Sequence, residues 1–139
     1  MNFNALIPEL YCSNFQQSLK FYTDILGFTV SYLRSQDRFA FLERQGAQLM
    51  IEQTVQLDRL WVIGGASPPY GRGVNLQIKT KDAKTLYEKC KKEGASIFLP
   101  LEEKWYQIEN QLTGNLQFIV LDPDNYLLRF FESLGNKKT

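Results

Sequence analysis

The stretch "SNFQQSLKFYTDILGF" (13–28) and its echo "KTKDAKTLYEKCKKEGAS" (79–96) decide the fold. Each reads as one amphipathic helix with a marked start and stop. In the first, Asn14 is the N-cap, Gln17 its capping-box partner and Gly27 the stop; in the second, Asp82 is the cap, with Thr85 inside, and Gly94 the stop. Apolar residues recur at helical spacing: Phe15, Leu19, Tyr22 and Leu26, then Ala83, Leu86, Tyr87 and Cys90. The two stop glycines lie 67 residues apart, so the chain repeats itself.

Working outward, a short strand is expected before each helix, at about 5–11 and 73–80, and three after it. These fall at about 28–33, 38–43 and 47–53 in the first half, and at about 96–101, 116–121 and 126–132 in the second. The hairpin "FLERQGAQLMIE" (41–52) answers to "FIVLDPDNYLLRFFE" (118–132). The expected fold is α+β: two β-α-β-β-β modules forming curved mixed sheets around a concave cup, with the helices outside. The chain reads as a single domain, 1–139, with module one at about 5–53, a linker at about 54–72 and module two at about 73–132. The segments 54–72 and 102–115 break the symmetry and read as long loops or an added hairpin.

Composition narrows the function classes. An apolar fraction of 44% and 19 aromatic residues suffice for a packed interior, and the net charge is +1 without basic or acidic blocks. Nucleic acid and membrane surfaces leave clustered charge, so neither is expected as a partner. The N-terminal residues do not read as a signal peptide, and no apolar run is long enough to span a membrane. Cys12 and Cys90 stand far apart, in no metal or redox spacing, which fits a reduced, cytoplasmic setting. The chain holds no histidine, so the commonest metal ligand and the commonest general base are both missing.

Strand parity separates two faces. Leu6, Pro8, Leu10, Leu49, Ile51, Val74, Leu76, Ile78, Leu128 and Phe130 should pack under the helices. The other face is mixed: Ile7, Glu9, Tyr11, Gln48, Met50, Glu52, Asn75, Gln77, Lys79, Leu127, Arg129 and Phe131. Such a face is either solvated or lines a cup; its aromatics and Met50 favour the cup. Trp61, Trp105 and Tyr106 fall in the irregular segments, where they either stack on a ligand, form a dimer contact or cap the sheet ends. The segment "GGASPPYGRG" (64–73) is not a phosphate loop, because no Lys-Ser/Thr and no helix follow it; it reads as a connector between halves.

The duplicated pattern, with "FYTDILGF" (21–28), "GVNLQI" (73–78) and "LDPDNYLLRF" (121–130), resembles the vicinal-oxygen-chelate superfamily, which includes glyoxalase I, extradiol dioxygenases, fosfomycin-resistance enzymes and bleomycin-resistance proteins. In the metal enzymes of that group four strand positions carry ligands, and the resemblance carries them onto Ile7, Glu52, Asn75 and Arg129. Only Glu52 suits a metal. Ile7 has no donor, Asn75 is a weak ligand, and Arg129 brings a positive charge to the place of a metal-binding glutamate. The expectation is no metal and no cofactor, with the Arg129 charge meeting Glu52.

Among metal-free relatives, "IPELYCSNFQQSLKFYTDILGF" (7–28) and "QFIVLDPDNYLLRF" (117–130) look most like bleomycin-resistance-type proteins. This resemblance implies a homodimer whose cleft stacks aromatics on a flat, cationic drug and sequesters it unchanged. It also implies an N-terminal strand exchanged between subunits beside a proline, here Pro8. Drug-binding members tend to be acidic, whereas this chain is near neutral. The expected ligand-binding residues are Glu9, Tyr11, Phe39, Glu52, Trp61, Asn75, Trp105, Tyr106 and Arg129, with no catalytic residue. The alternatives are a lyase, isomerase or dioxygenase-type enzyme holding a divalent metal through Glu52, and a purely structural or regulatory dimer. In an enzyme, Tyr11 and Tyr106 are the candidate acids.

Overall fold

The computed structural model describes residues 1–54, 61–64 and 67–139. Strand β1 (Glu9–Tyr11) leads into helix α1 (Phe15–Lys20), which widens into a π-helical turn, Phe21–Ile25. Strands β2 (Thr29–Arg34), β3 (Phe39–Arg44) and β4 (Ala47–Glu52) follow. The second half comprises β5 (Asn75–Lys79), α2 (Ala83–Lys92), β6 (Ser96–Ile108), β7 (Gln111–Leu121) and β8 (Leu127–Lys138). Two four-stranded mixed sheets result, in the orders β1-β4-β3-β2 and β5-β8-β7-β6. The fold is α+β, as expected.

Both helices start as their caps dictate. The Asn14 side chain accepts from the Gln17 amide at 3.0 Å. Asp82 accepts from the Thr85 amide at 3.0 Å and from its hydroxyl at 2.7 Å, and these bonds lower its carboxyl pKa below the ordinary value. Both stop glycines adopt the left-handed backbone that ends a helix, Gly27 at φ 80° and Gly94 at φ 75°. The π turn, with the Leu26 amide reaching back to the Phe21 carbonyl, puts Phe21 as well as Tyr22 into the core.

The chain forms two compact units. The first is Met1–Arg72 with Pro123–Tyr126; the second is Gly73–Asp122 with Leu127–Thr139. In the first, Leu42, Leu49, Ile51 and Ala40 are buried on the sheet face shared with Leu10. In the second, α2 packs on β6, β7 and β8, and Tyr87 meets Phe118 edge-on at 5.3 Å while Phe118 stacks on Phe130 at 5.6 Å. The Pro123–Tyr126 turn completes the first unit. Asp124 is fully buried and accepts from the Ser13 amide at 3.0 Å and hydroxyl at 2.5 Å, and the Tyr126 hydroxyl donates to the Tyr11 carbonyl at 3.0 Å. Burial beside Asp124 and Cys12 raises the Tyr70 pKa above its ordinary value.

One expectation needs correction. Strands β1 and β5 begin at Glu9 and Asn75, so Leu6 and Val74 precede them and stand 81% and 55% exposed, not under a helix. Of the two expectations for the segment 102–115, a loop or an added hairpin, the hairpin is what forms. It is the continuation of β6 and β7, paired from Glu102↔Gln117 to Ile108↔Gln111, and β8 runs on beside it to Lys138. Of the segment 54–72, residues 55–60 and 65–66 lie outside the described residues.

Candidate functional site

In the first unit, register sets a row of side chains across the face turned away from Leu10, Leu49 and Ile51. Tyr11 pairs with Glu52, Glu52 with Phe39, and Phe39 with Arg34. The next row is Glu9, Met50, Phe41 and Tyr32. Four expected ligand residues, Glu9, Tyr11, Phe39 and Glu52, thus share one face of one sheet. Two carboxylates border a block of aromatic rings: Tyr32 stacks on Phe39 at 5.8 Å and on Phe41 at 5.2 Å. Phe3 closes the far side, edge-on to Phe41 at 5.5 Å, and Gln48 ties the N-terminal segment down through the Asn2 carbonyl and the Asn4 amide.

Phe39 is already occupied. The Arg34 guanidinium lies 4.0 Å from its ring centroid, steadied by Asp37 at 3.2 Å, and Phe39 is only 2% exposed. Trp61 stands 68% exposed, its backbone amide donating to the Tyr11 hydroxyl at 3.3 Å. Tyr32, Phe41 and Arg34 were not expected at this face. Parity along β2 and β3 is the signal that finds them.

In the second unit the corresponding face carries Asn75, Gln77 and Lys79 from β5, Arg129 and Phe131 from β8, and Gln117 from β7. A cavity of about 420 Å³ lies on it, and Tyr106 and Arg129 line it together with Gln77, Lys79, Thr113 and Asn115. Asn75 shares the strand face but not the cavity wall. Trp105 points the other way, because adjacent residues of a strand alternate. Its ring lies over Gly114, where a Cβ would come within 2.6 Å of it; Glu103 accepts from its indole at 2.8 Å, and the Lys137 ammonium sits 4.0 Å from its ring centroid.

Glu52, the expected partner of Arg129, belongs to the first unit; within the second unit Arg129 meets Gln77. Parallel pairing sets Gln77 directly beside Arg129, and Nη2 donates to Gln77 Oε1 at 2.6 Å. Arg129 Nε is buried and has no hydrogen-bond partner among the described residues. Gln117, 3% exposed, donates from Nε2 to Glu102 and to the Tyr106 hydroxyl, each at 2.8 Å, while its Oε1 has no partner among the described residues.

The residues at the four metal-ligand points of the resembled enzymes do not fit a divalent metal. Ile7 offers no donor atom, and Arg129 is a cation engaged as a donor. Among the described residues no three His, Cys, Asp or Glu side chains gather.

Two halves that each set one helix against a four-stranded mixed sheet, and each leave a polar and aromatic sheet face, define a duplicated α+β protein. The chain belongs to the Glyoxalase/Bleomycin resistance protein/Dioxygenase superfamily, whose profile matches residues 5–130. It is similar to a bleomycin resistance protein of Geobacillus stearothermophilus, with 27% identity covering 92% of this chain and 96% of that one. A superfamily member from Vibrio splendidus 12B01 is 37% identical, over 91% of this chain and 95% of its own, with a TM-score of 0.42. TioX from Micromonospora sp. ML1 is 20% identical, over 95% of this chain and 100% of its own, with a TM-score of 0.72. No helix among the described residues is long and apolar enough to cross a membrane.

Proposed function

We propose that this protein binds and sequesters a small molecule without a metal and without changing it chemically, as a cytoplasmic homodimer. The observation that carries the reading is the first unit's sheet face, where Glu9 and Glu52 border the rings of Tyr11, Phe39, Phe41 and Tyr32. Aromatic faces stack on flat rings and attract cations, and carboxylates beside them favour a positive ligand. The Arg34 guanidinium over Phe39, a planar cation on the ring, supports a ligand of that kind. The bleomycin resistance relatives support the same class of ligand for this chain.

Assembly as a dimer is part of this reading, because β1, β2, β5 and β6 are the outer strands of their sheets and edge strands invite cover. The test is calorimetric titration of the metal-stripped protein with bleomycin and with a flat cationic dye, with light scattering for the mass. Saturable binding of one probe, recovered unaltered, by a species of twice 16.2 kDa is the expected result. Conversion of the probe, or binding that requires added metal, contradicts sequestration.

A further inference from the structure

We infer that the cavity on the second unit's sheet takes the anionic head of a small organic molecule, a carboxylate or phosphonate on a compact apolar body. This deepens the small-molecule reading above and rests on it. It gives the second unit a ligand chemistry opposite in sign to that of the first.

Charge is the first argument. Among the described residues the cavity wall includes Lys79 and Arg129 and no carboxylate. The carboxylate nearest in register on the same face, Glu102, is held by Gln117. Lys104, opposite Asn115, adds a further positive charge to that face. Two cations in one concave site repel each other and attract an anion, and desolvation by a bound ligand strengthens that attraction.

The second argument is the unfinished hydrogen bonding. Gln77 satisfies one nitrogen of the Arg129 guanidinium, and Nε is left buried with no acceptor among the described residues. A guanidinium presents its donors as a fork that matches two oxygens of one carboxylate or phosphonate, and a buried charged donor without an acceptor is costly. Gln77 is a neutral stand-in for that acceptor. The parallel register places it beside Arg129, and a neutral amide satisfies a donor without offsetting the charge of the guanidinium.

The rest of the wall describes the ligand's body. Phe131, Ile108 and Tyr106 supply apolar and aromatic surface, and Thr113 and Asn115 supply polar atoms at its side. A volume of about 420 Å³ admits a single substituted ring or a similar compact group.

The test is a titration of the ¹⁵N-labelled protein, including the arginine Nε–H signals, with benzoate, phenylphosphonate, inorganic phosphate and benzamidine. Benzoate or phenylphosphonate should shift Arg129 Nε–H and the amides of Gln77, Thr113 and Asn115, while benzamidine should not. Arg129→Gln and Lys79→Gln should each weaken that binding at least tenfold in a protein with unchanged dispersion. Phosphonate or phosphate binding without benzoate assigns the site to phosphoryl-type anions, and benzoate binding without them assigns it to carboxylates; either result supports an anionic head. Benzamidine binding at these residues as tightly as the anions overturns the charge inference and leaves a ligand site in place. Anion binding unaffected by both variants overturns it as well. No shift at the cavity with any probe overturns the site itself, whereas the bleomycin and dye titrations still decide the first unit.

Discussion

At the scale of single residues, the point of interest is that polar and aromatic side chains here are partnered by stand-ins. Gln77 accepts from Arg129 and the Arg34 guanidinium lies over Phe39, places that the proposed reading gives to a ligand anion and a ligand cation. An exposed cation–π contact contributes about 0.5–1 kcal/mol, so displacing Arg34 taxes any ligand that stacks on Phe39 by about that amount. Arg34→Ala should therefore raise the affinity for a flat cationic dye about two- to fivefold, as that energy converts at about 1.4 kcal/mol per tenfold. Stability should change by less than about 1 kcal/mol, because the Arg34–Asp37 pair is half exposed on both sides. Calorimetry on the variant reads both; an unchanged or weaker dye affinity means the ligand does not use this ring. Much of this face was legible. Parity alone put Glu9, Tyr11 and Glu52 on one side of their strands, and the pairing places them so. Which neighbours cover Phe39 was not legible, since that depends on the register between β2 and β3, with its shift between Val30 and Tyr32.

At the scale of elements, caps and stops told the truth where the chemistry is local. Asn14, Asp82, Gly27 and Gly94 do what their side chains, or lack of one, require. The long hairpin was harder to read. Its outer part, 102–115, has charged and amide residues on both faces and a glycine inside, which is the signature of a loop. What makes it a strand is non-local: β8 continues alongside as far as Lys138, and Gly114 gives the Trp105 ring room to lie flat on the sheet. That glycine yields a test. Gly114→Val places branched carbons where the indole sits, within 2.6 Å even for a single Cβ. The ring must leave, and with it the contacts to Lys137 and Glu103. The expected loss is about 1–3 kcal/mol in denaturant unfolding, together with a changed tryptophan emission. Trp105→Ala in the same background should recover part of that loss. A Gly114→Val protein with parental stability and emission would show that Trp105 does not pack there.

At the scale of the whole molecule, the order of the chain and the order of the units disagree. The first unit is not finished by the first half of the sequence, because Pro123–Tyr126, between β7 and β8, belongs to it. The dependence is chemical. Without that turn the Ser13 amide and hydroxyl lose their buried carboxylate, just ahead of the cap that starts α1, and the Tyr11 carbonyl loses the Tyr126 hydroxyl. The Tyr70 amide loses the Asp124 carbonyl, and its ring loses the Tyr126 ring at 5.9 Å. Each partly buried group left unpaired costs about 1–3 kcal/mol, and a domain's whole stability is about 5–15 kcal/mol. A fragment of residues 1–72 should therefore lack a cooperative unfolding transition, even though it contains a complete helix and a complete four-stranded sheet. Adding the fragment 73–139, which carries the turn, should restore a dispersed NMR spectrum. The same addition with Asp124→Ala and Tyr126→Phe should restore it poorly. In the intact chain, Asp124→Ala alone should destabilise by about 2–4 kcal/mol, the range of a buried acceptor that satisfies two donors. A 1–72 fragment that unfolds cooperatively by itself, with the dispersion of a packed sheet, refutes this account and makes the returning turn an ornament on a unit that needs no help.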